Sequence, residues 1–218
     1  TTEKWQTYDG LLDMKGSVKN ITVSWNRFQD HDKTMLIGSS DSDGSNSTRT
    51  ISLHHNYFYN CGQRLPMVRL TNIHIFNNYY DFSSYSAIKK TLAYNDATSS
   101  TSTTETITNG YGIGVRCNSN IISERNYFAS GMKYAYSGNS ATASVGSTKA
   151  NCVSTTLIYI NGDLNNSTNT ANNSSYYTVT DSMPWTPSAS YDYTLDATSD
   201  LSDTVVNNAG AGKWAVKK

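Results

Sequence analysis

One pattern occurs four times along the 218 residues. Ile21-Thr-Val-Ser-Trp-Asn26-Arg-Phe28, Ile51-Ser-Leu-His-His-Asn56-Tyr-Phe58, Ile73-His-Ile-Phe-Asn-Asn78-Tyr-Tyr80 and Ile121-Ile-Ser-Glu-Arg-Asn126-Tyr-Phe128 each set an apolar residue five before an Asn and an aromatic one two after it. Three of the four add a second apolar residue three before the Asn; the fourth has Ser123 there. Alternation within each copy reads as a strand. The Asn residues are 30, 22 and 48 apart, as expected of one structural unit with loops of different length between copies. A strand recurring once per turn describes an all-β chain wound as a parallel β-helix, a solenoid whose coils stack about 4.8 Å apart. The Asn side chains would then form an internal ladder of amide hydrogen bonds. A β-sandwich with Asn at its turns is the competing architecture.

Composition narrows the partners. The chain has 17 basic and 17 acidic side chains, so it lacks the overall positive charge of a nucleic-acid binder. No apolar run approaches the roughly 18 residues of a membrane span. Neither nucleic acid nor membrane is expected as a partner. Cys61, Cys117 and Cys152 are far apart with no CxxC spacing, which allows at most one disulfide and leaves an odd thiol. The length fits a single domain over residues 1–218. Asp96 to Asn109 and Gly138 to Ala150 read as loops, and 161–218 as a mostly irregular C-terminal segment packed on the coils.

The repeat supplies a register for the charged residues. Lys33 lies seven after Asn26 and Arg64 eight after Asn56, which places both cations at nearly the same point on neighbouring coils. Arg69 precedes Asn78 by nine, Arg116 precedes Asn126 by ten and Lys15 precedes Asn26 by eleven, a second column beside the first. Like charges stacked at coil spacing repel and do nothing for folding, so two such columns point to a polyanionic ligand. The Arg fork suits carboxylates.

Asp9 and Asp13 are four apart and share one strand face. In a straight strand their Cα atoms would be about 13 Å apart, too far to hold one ion; a bend at Gly10 would bring them together. An all-oxygen pair favours Ca²⁺ and leaves coordination positions for water and ligand carboxylates. His31, His54, His55 and His74 are expected to be structural, and no GxSxG, HExxH or Gly-rich phosphate loop is present.

The sequence resembles the pectate lyases of the parallel β-helix class that also includes the pectin lyases. The resemblance is carried by Asp9-Gly-Leu-Leu-Asp13, by Asp30-His-Asp-Lys33-Thr-Met-Leu-Ile-Gly-Ser-Ser-Asp-Ser-Asp43, by His54-His-Asn-Tyr-Phe58, by Gln63-Arg64-Leu-Pro66-Met-Val-Arg69 and by Ile73-His-Ile-Phe-Asn-Asn-Tyr-Tyr80. It is strong through about residue 130 and looser afterward. It implies a right-handed parallel β-helix, secreted, that cleaves polygalacturonate by Ca²⁺-dependent β-elimination to unsaturated oligogalacturonates. By the same resemblance Asp9 and Asp13 match calcium ligands. Arg64, first arginine of Arg-x-Pro-x-x-Arg, matches the base that removes the C5 proton, with electrostatic stabilisation as its alternative role. Lys15, Lys33, Arg69 and Arg116 match contacts to substrate carboxylates.

Family members carry a further calcium-binding Asp in a Trp-Ile-Asp-His-like segment, earlier coils and an N-terminal cap, whereas eight residues precede Asp9 here. The chain therefore reads as the C-terminal portion of such a helix. Its open end is expected to be covered in a homo-oligomer or by a complementary N-terminal chain. A non-catalytic uronate-binding or structural β-helix fragment is the alternative to an active lyase. Action on methyl-esterified pectin is disfavoured, because an esterified carboxyl offers no charge for Ca²⁺ or Lys33 to neutralise.

Overall fold

The structure is a computed structural model describing residues 10–41, 43, 49–83, 89–92, 103–106, 110–139, 142–145, 148–189 and 191–213, with backbone only for 89–92, 103–106, 142–145 and 148–151. Three strands make a coil. The first is β1 (Leu12–Met14), β2 (Ile21–Ser24) and β3 (Arg27–Gln29); the second β4 (Met35–Ile37), β5 (Arg49–His54) and β6 (Tyr57–Tyr59). The third is β7 (Met67–Val68), β8 (Thr71–Phe76) and β9 (Tyr79–Asp81), followed by the hairpin strands β10 (Lys89–Leu92) and β11 (Thr103–Thr106). The fourth is β12 (Ile113–Val115), β13 (Asn120–Glu124) and β14 (Tyr127–Phe128). The fifth opens with β15 (Tyr134–Ser137), is interrupted by the hairpin β16 (Thr142–Val145) and β17 (Thr148–Asn151), and resumes with β18 (Leu157–Asn161) and β19 (Leu164–Asn165). A partial sixth has β20 (Asn169–Asn172) and β21 (Thr178–Val179), and α1 (Leu201–Asn208) follows.

Like strands of successive coils pair in parallel. The first sheet runs β1-β4-β7-β12-β15-β20, the second β2-β5-β8-β13-β18-β21 and the third β3-β6-β9-β14-β19. This is the expected parallel β-helix, and its register explains the motif. Ile21, Ile51, Ile73, Ile121 and Ile158 are successive partners in the second sheet. Phe28, Phe58, Tyr80 and Phe128 stack in the third with centroids 5.0, 4.9 and 4.6 Å apart. Between the two sheets the residue before each Asn turns the corner in the left-handed region: Trp25 (φ 58°), His55 (53°), Asn77 (49°) and Arg125 (47°).

The Asn side chains repair that corner. Asn56 Nδ2 donates to Val23 O, His54 O and Asn78 Oδ1, and Asn78 Nδ2 to Leu53 O, Phe76 O and Asn126 Oδ1. Backbone N–H groups of Asn26, Asn56 and Asn78 donate to the next carboxamide oxygen at 3.0 Å each. Peptide groups that a sharp turn would orphan are thus bonded inside an apolar core.

The ladder runs one step beyond the four copies. Asp163 Oδ1 accepts from Asn126 N at 2.7 Å, while its Oδ2 accepts from Ser123 Oγ and Tyr136 Oη at 2.5 Å each. Ser123 is the residue that broke the apolar pattern, and here it bonds the buried carboxyl. Burial outweighs these bonds and pushes the Asp163 carboxyl above its usual range.

Within the C-terminal segment, which is mostly irregular among its described residues, β19, β20 and β21 nevertheless continue the three sheets. Leu201, Val205 and Ala209 of the α1 segment pack on Tyr57 and Tyr79 outside the third sheet. The described parts of the two presumed loops contain antiparallel hairpin strands, β11 pairing β10 and β16 pairing β17. Cys117 and Cys152 form a disulfide at the base of the second hairpin, leaving Cys61 free and buried. No helix among the described residues is long and apolar enough to cross a membrane.

Candidate active site

Alternation on the first sheet builds a cationic strip. Met14, Ile37, Val68 and Val115 are register partners that face the core. The residue that follows each of these strands continues the alternation outward, and these are Lys15, Gly38, Arg69 and Arg116. Backbone bonds hold the row: Gly38 N to Met14 O at 2.9 Å, Arg69 N to Ile37 O at 2.9 Å and Arg116 N to Val68 O at 3.1 Å. The second column read from the sequence is a true row, with a glycine between Lys15 and Arg69.

The first column is offset by one residue. Lys33 bridges Gln63, so Arg64 lies one position further along its coil. Arg64 has φ 60°, a left-handed conformation that costs a non-glycine residue roughly 1–2 kcal/mol, and it precedes the cis Leu65–Pro66 peptide. Its Nε is buried without a hydrogen-bond partner among the described residues.

The three arginines share one electrostatic environment. Burial pushes Arg116 below the ordinary arginine range; Arg69 and Arg64 lower it further, against Tyr111, whose ring lies 5.1 Å from the guanidinium. Arg116 Nη1 donates to Val115 O and Ser137 O. Arg69 is held by Asp41, Nε to Oδ1 at 3.0 Å, and donates through Nη1 to Gly38 O at 3.1 Å. Neighbouring Asp43 makes an ion pair with the fully buried Arg49 at 3.0 Å and accepts from Ser39 N and Gly16 N. Those backbone bonds, led by Ser39, hold its carboxyl below the usual range.

Of the two presumed metal ligands, Asp9 lies outside the described residues. Asp13 follows Leu12 on β1, with Lys15 Nζ 3.9 Å from Oδ2. A Cβ on residue 10 would lie 2.5 Å from Asp13 Oδ1, so the carboxylate folds back over Gly10. No group of three metal-ligating side chains occurs among the described residues.

His54, His55 and His74 lie elsewhere, at the outer face of the second sheet against residues 191–196. His74 bonds Tyr191 Oη at 2.7 Å and Glu124 Oε2 at 2.8 Å; His55 bonds Asp196 Oδ2 at 3.0 Å and His54 Nδ1 at 2.8 Å. With His55 Nε2–H given to the carboxylate, neutral His55 accepts at Nδ1 and His54 donates from its own Nδ1. Burial, then the His55 and His74 rings, depress His54 to about 4. These residues fasten the tail to the coils. The sequence reading gave no role to Asp41, Asp43, Glu124 or Asp163; the first two lie in the Gly38-to-Asp43 stretch, whose alternating acids beside a glycine were the available signal.

Together these features define a parallel β-helix with a cationic strip along its first sheet and a carboxylate at the strip's N-terminal end. A family model described as "Pectate lyase" matches residues 1–214, and the chain belongs to that family. It is 32% identical over 215 residues to a pectate lyase of Bacillus subtilis (strain 168), covering 96% of this chain and 43% of the relative. It is 30% identical over 215 residues to pectate lyase E of Dickeya chrysanthemi, covering 97% and 49%. A solved structure described as "Pectate lyase bound to hexasaccharide" superimposes with a TM-score of 0.63 at 31% identity, over 95% of this chain and 44% of that one. The chain thus spans less than half the length of these relatives.

Proposed function

We propose that this chain cleaves polygalacturonate by Ca²⁺-dependent β-elimination, giving unsaturated oligogalacturonates, and that it acts outside the cell. The observation that carries the reading is the registered row Lys15, Gly38, Arg69 and Arg116 beside Lys33 and Arg64. Polygalacturonate presents a carboxylate on every sugar, and cations on coils stacked about 4.8 Å apart, with the Gly38 position uncharged, can engage such a polymer along its length.

The chemistry follows from which charges are neutralised. Lys33, Arg69 and Arg116 bind uronate carboxylates, and a carboxylate relieved of its charge makes the adjacent C5–H more acidic. Arg64, after giving one proton to solvent, takes the C5 proton, the electron pair forms C4=C5, and the C4–O bond breaks with its oxygen protonated by solvent. Like charges crowd the strip: Arg116, lowered first by burial, is lowered further by Arg69 and Arg64. Ca²⁺ held by Asp9 and Asp13 would supply further neutralisation of the substrate carboxylate. The exposed all-oxygen carboxylate folded over Gly10 suits such a hard cation.

The test is absorbance near 235 nm, where unsaturated uronates absorb, with polygalacturonate and Ca²⁺, then with chelator, for the wild type and Arg64→Ala. Growth that needs Ca²⁺ and is lost in the variant is expected. Binding without growth would establish instead the non-catalytic uronate-binding reading. The disulfide supports an oxidising, extracellular setting.

We further propose that, for the 218 residues on their own, another β-helix segment, from a second copy or a complementary N-terminal chain, covers the first coil. There β1, β2 and β3 are sheet edges, Leu11 is 49% exposed, and Asn26 Oδ1 accepts no hydrogen bond from any described residue. A single-chain mass by light scattering, with nothing copurifying, would contradict this.

A further inference from the structure

The cationic row has a gap at Gly38, and Arg69 fills it. A Cβ on Gly38 would lie 2.9 Å from Arg69 Cβ and 3.0 Å from Arg69 O, and Gly38 has φ +81°. With that space open, Arg69 Nη1 reaches Gly38 O and Nε reaches Asp41 Oδ1. Asp41 stands three residues after Gly38, so the segment that opens the slot also delivers the carboxylate.

That segment is itself anchored. Asp43 N donates to Ser40 O at 3.2 Å, and Asp43 Oδ2 accepts from Ser39 N at 2.8 Å. The Asp43 carboxylate is fixed in turn by Arg49, which has no exposed surface, and by Gly16 N of the first coil. A buried ion pair thus sets the turn, the turn sets Asp41, and Asp41 sets Arg69. Two of the three Arg69 nitrogens are occupied; Nη2 has no partner among the described residues.

We infer that Asp41 is a positioning residue for uronate binding: by holding Arg69 at Nε it leaves Nη2 to meet a substrate carboxylate end-on. The inference rests on the cationic strip being the polygalacturonate site. Its physical basis is preorganisation. A free arginine side chain samples many rotamers, and a side chain already fixed by its neighbours loses less of that freedom on binding. Asp41 also offsets the repulsion of Arg69 by Arg116, keeping two cations side by side in the unliganded protein.

The test compares wild type, Asp41→Ala, Asp41→Asn and Arg69→Ala, each with and without Asp41→Ala where Arg69 is changed. KM and kcat on polygalacturonate are read together with the dissociation constant for a galacturonate hexamer by calorimetry. Asp41→Ala is expected to raise KM and the dissociation constant about tenfold with kcat within threefold, since the contact it prepares is made equally before and during reaction. Asp41→Asn keeps an acceptor for Nε and should recover binding to within threefold of wild type. In the Arg69→Ala background, Asp41→Ala should add nothing. Unchanged binding in Asp41→Ala while wild type binds overturns the inference alone, as does an Asn variant no better than Ala. A wild type that neither binds nor cleaves polygalacturonate overturns both the inference and the function it rests on.

Discussion

Replacing Asn78 by Ala should cost far more stability than the same change at Asn26, although the two occupy equivalent positions in their coils. Asn78 is fully buried and makes five side-chain hydrogen bonds: Nδ2 donates to Leu53 O, Phe76 O and Asn126 Oδ1, and Oδ1 accepts from Asn56 N and Asn56 Nδ2. Asn26 Nδ2 donates to Ser24 O and Asn56 Oδ1 near solvent, and its Oδ1 receives nothing from described residues. A neutral hydrogen bond contributes about 1 kcal/mol net, and a buried group left unpaired costs about 1–3 kcal/mol. Asn78→Ala leaves Asn56 N–H without its acceptor and removes a donor from Leu53 O and Phe76 O, the latter keeping His55 N, which gives about 3–5 kcal/mol in an apolar interior. Asn26→Ala gives about 1 kcal/mol, because water replaces what is lost. Urea unfolding followed by circular dichroism, with slopes compared, separates the two against a total stability of roughly 5–15 kcal/mol. Equal shifts for both variants, or a shift at Asn78 below that at Asn26, would refute the idea that the ladder stabilises by satisfying corners in the core.

Acid should weaken the attachment of the tail. His54 takes its proton near 6.5 in the unfolded chain but only at about 4 when folded, so between those values the unfolded state binds more protons and stability falls as pH falls. Discounted for the ring's partial exposure, the loss is about 1–2 kcal/mol by pH 4; His54→Gln should flatten this part of a melting-temperature profile, and superimposable profiles would contradict it. Changing Cys117 and Cys152 together to Ser opens a loop of 35 residues and should lower stability by about 4 kcal/mol on the chain-entropy account. Wild type in reductant should match the double variant in urea midpoint, and a midpoint unmoved by either treatment would contradict the assignment.

The interior was legible because stacking imposes sameness. Each coil presents its Ile, its Asn and its aromatic side chain to the same groups above and below, so the same residue types recur and the period can be read through insertions as unlike as a few residues and a whole hairpin. The row Lys15, Arg69 and Arg116 was legible for the same reason, being offset by one from core-facing register partners. What escaped were sites where one residue makes sense only beside another. Arg69 lies along the sheet toward Asp41 because Gly38 leaves the space, and no spacing rule shows which way a long side chain folds. Read singly, Ser123 is a flaw in an apolar stack and Asp163 an acid misplaced at an amide position, with Asn165 where the aromatic residue should be. Facing each other across adjacent coils they are complementary: the acid needs a hydroxyl donor where an aliphatic side chain would leave Oδ2 with one bond fewer, and the serine needs a buried acceptor. A search for repeats therefore stops one coil early at this pair, since each half breaks the pattern that would reveal the other, and the chain from residue 161 looks irregular although it continues all three sheets.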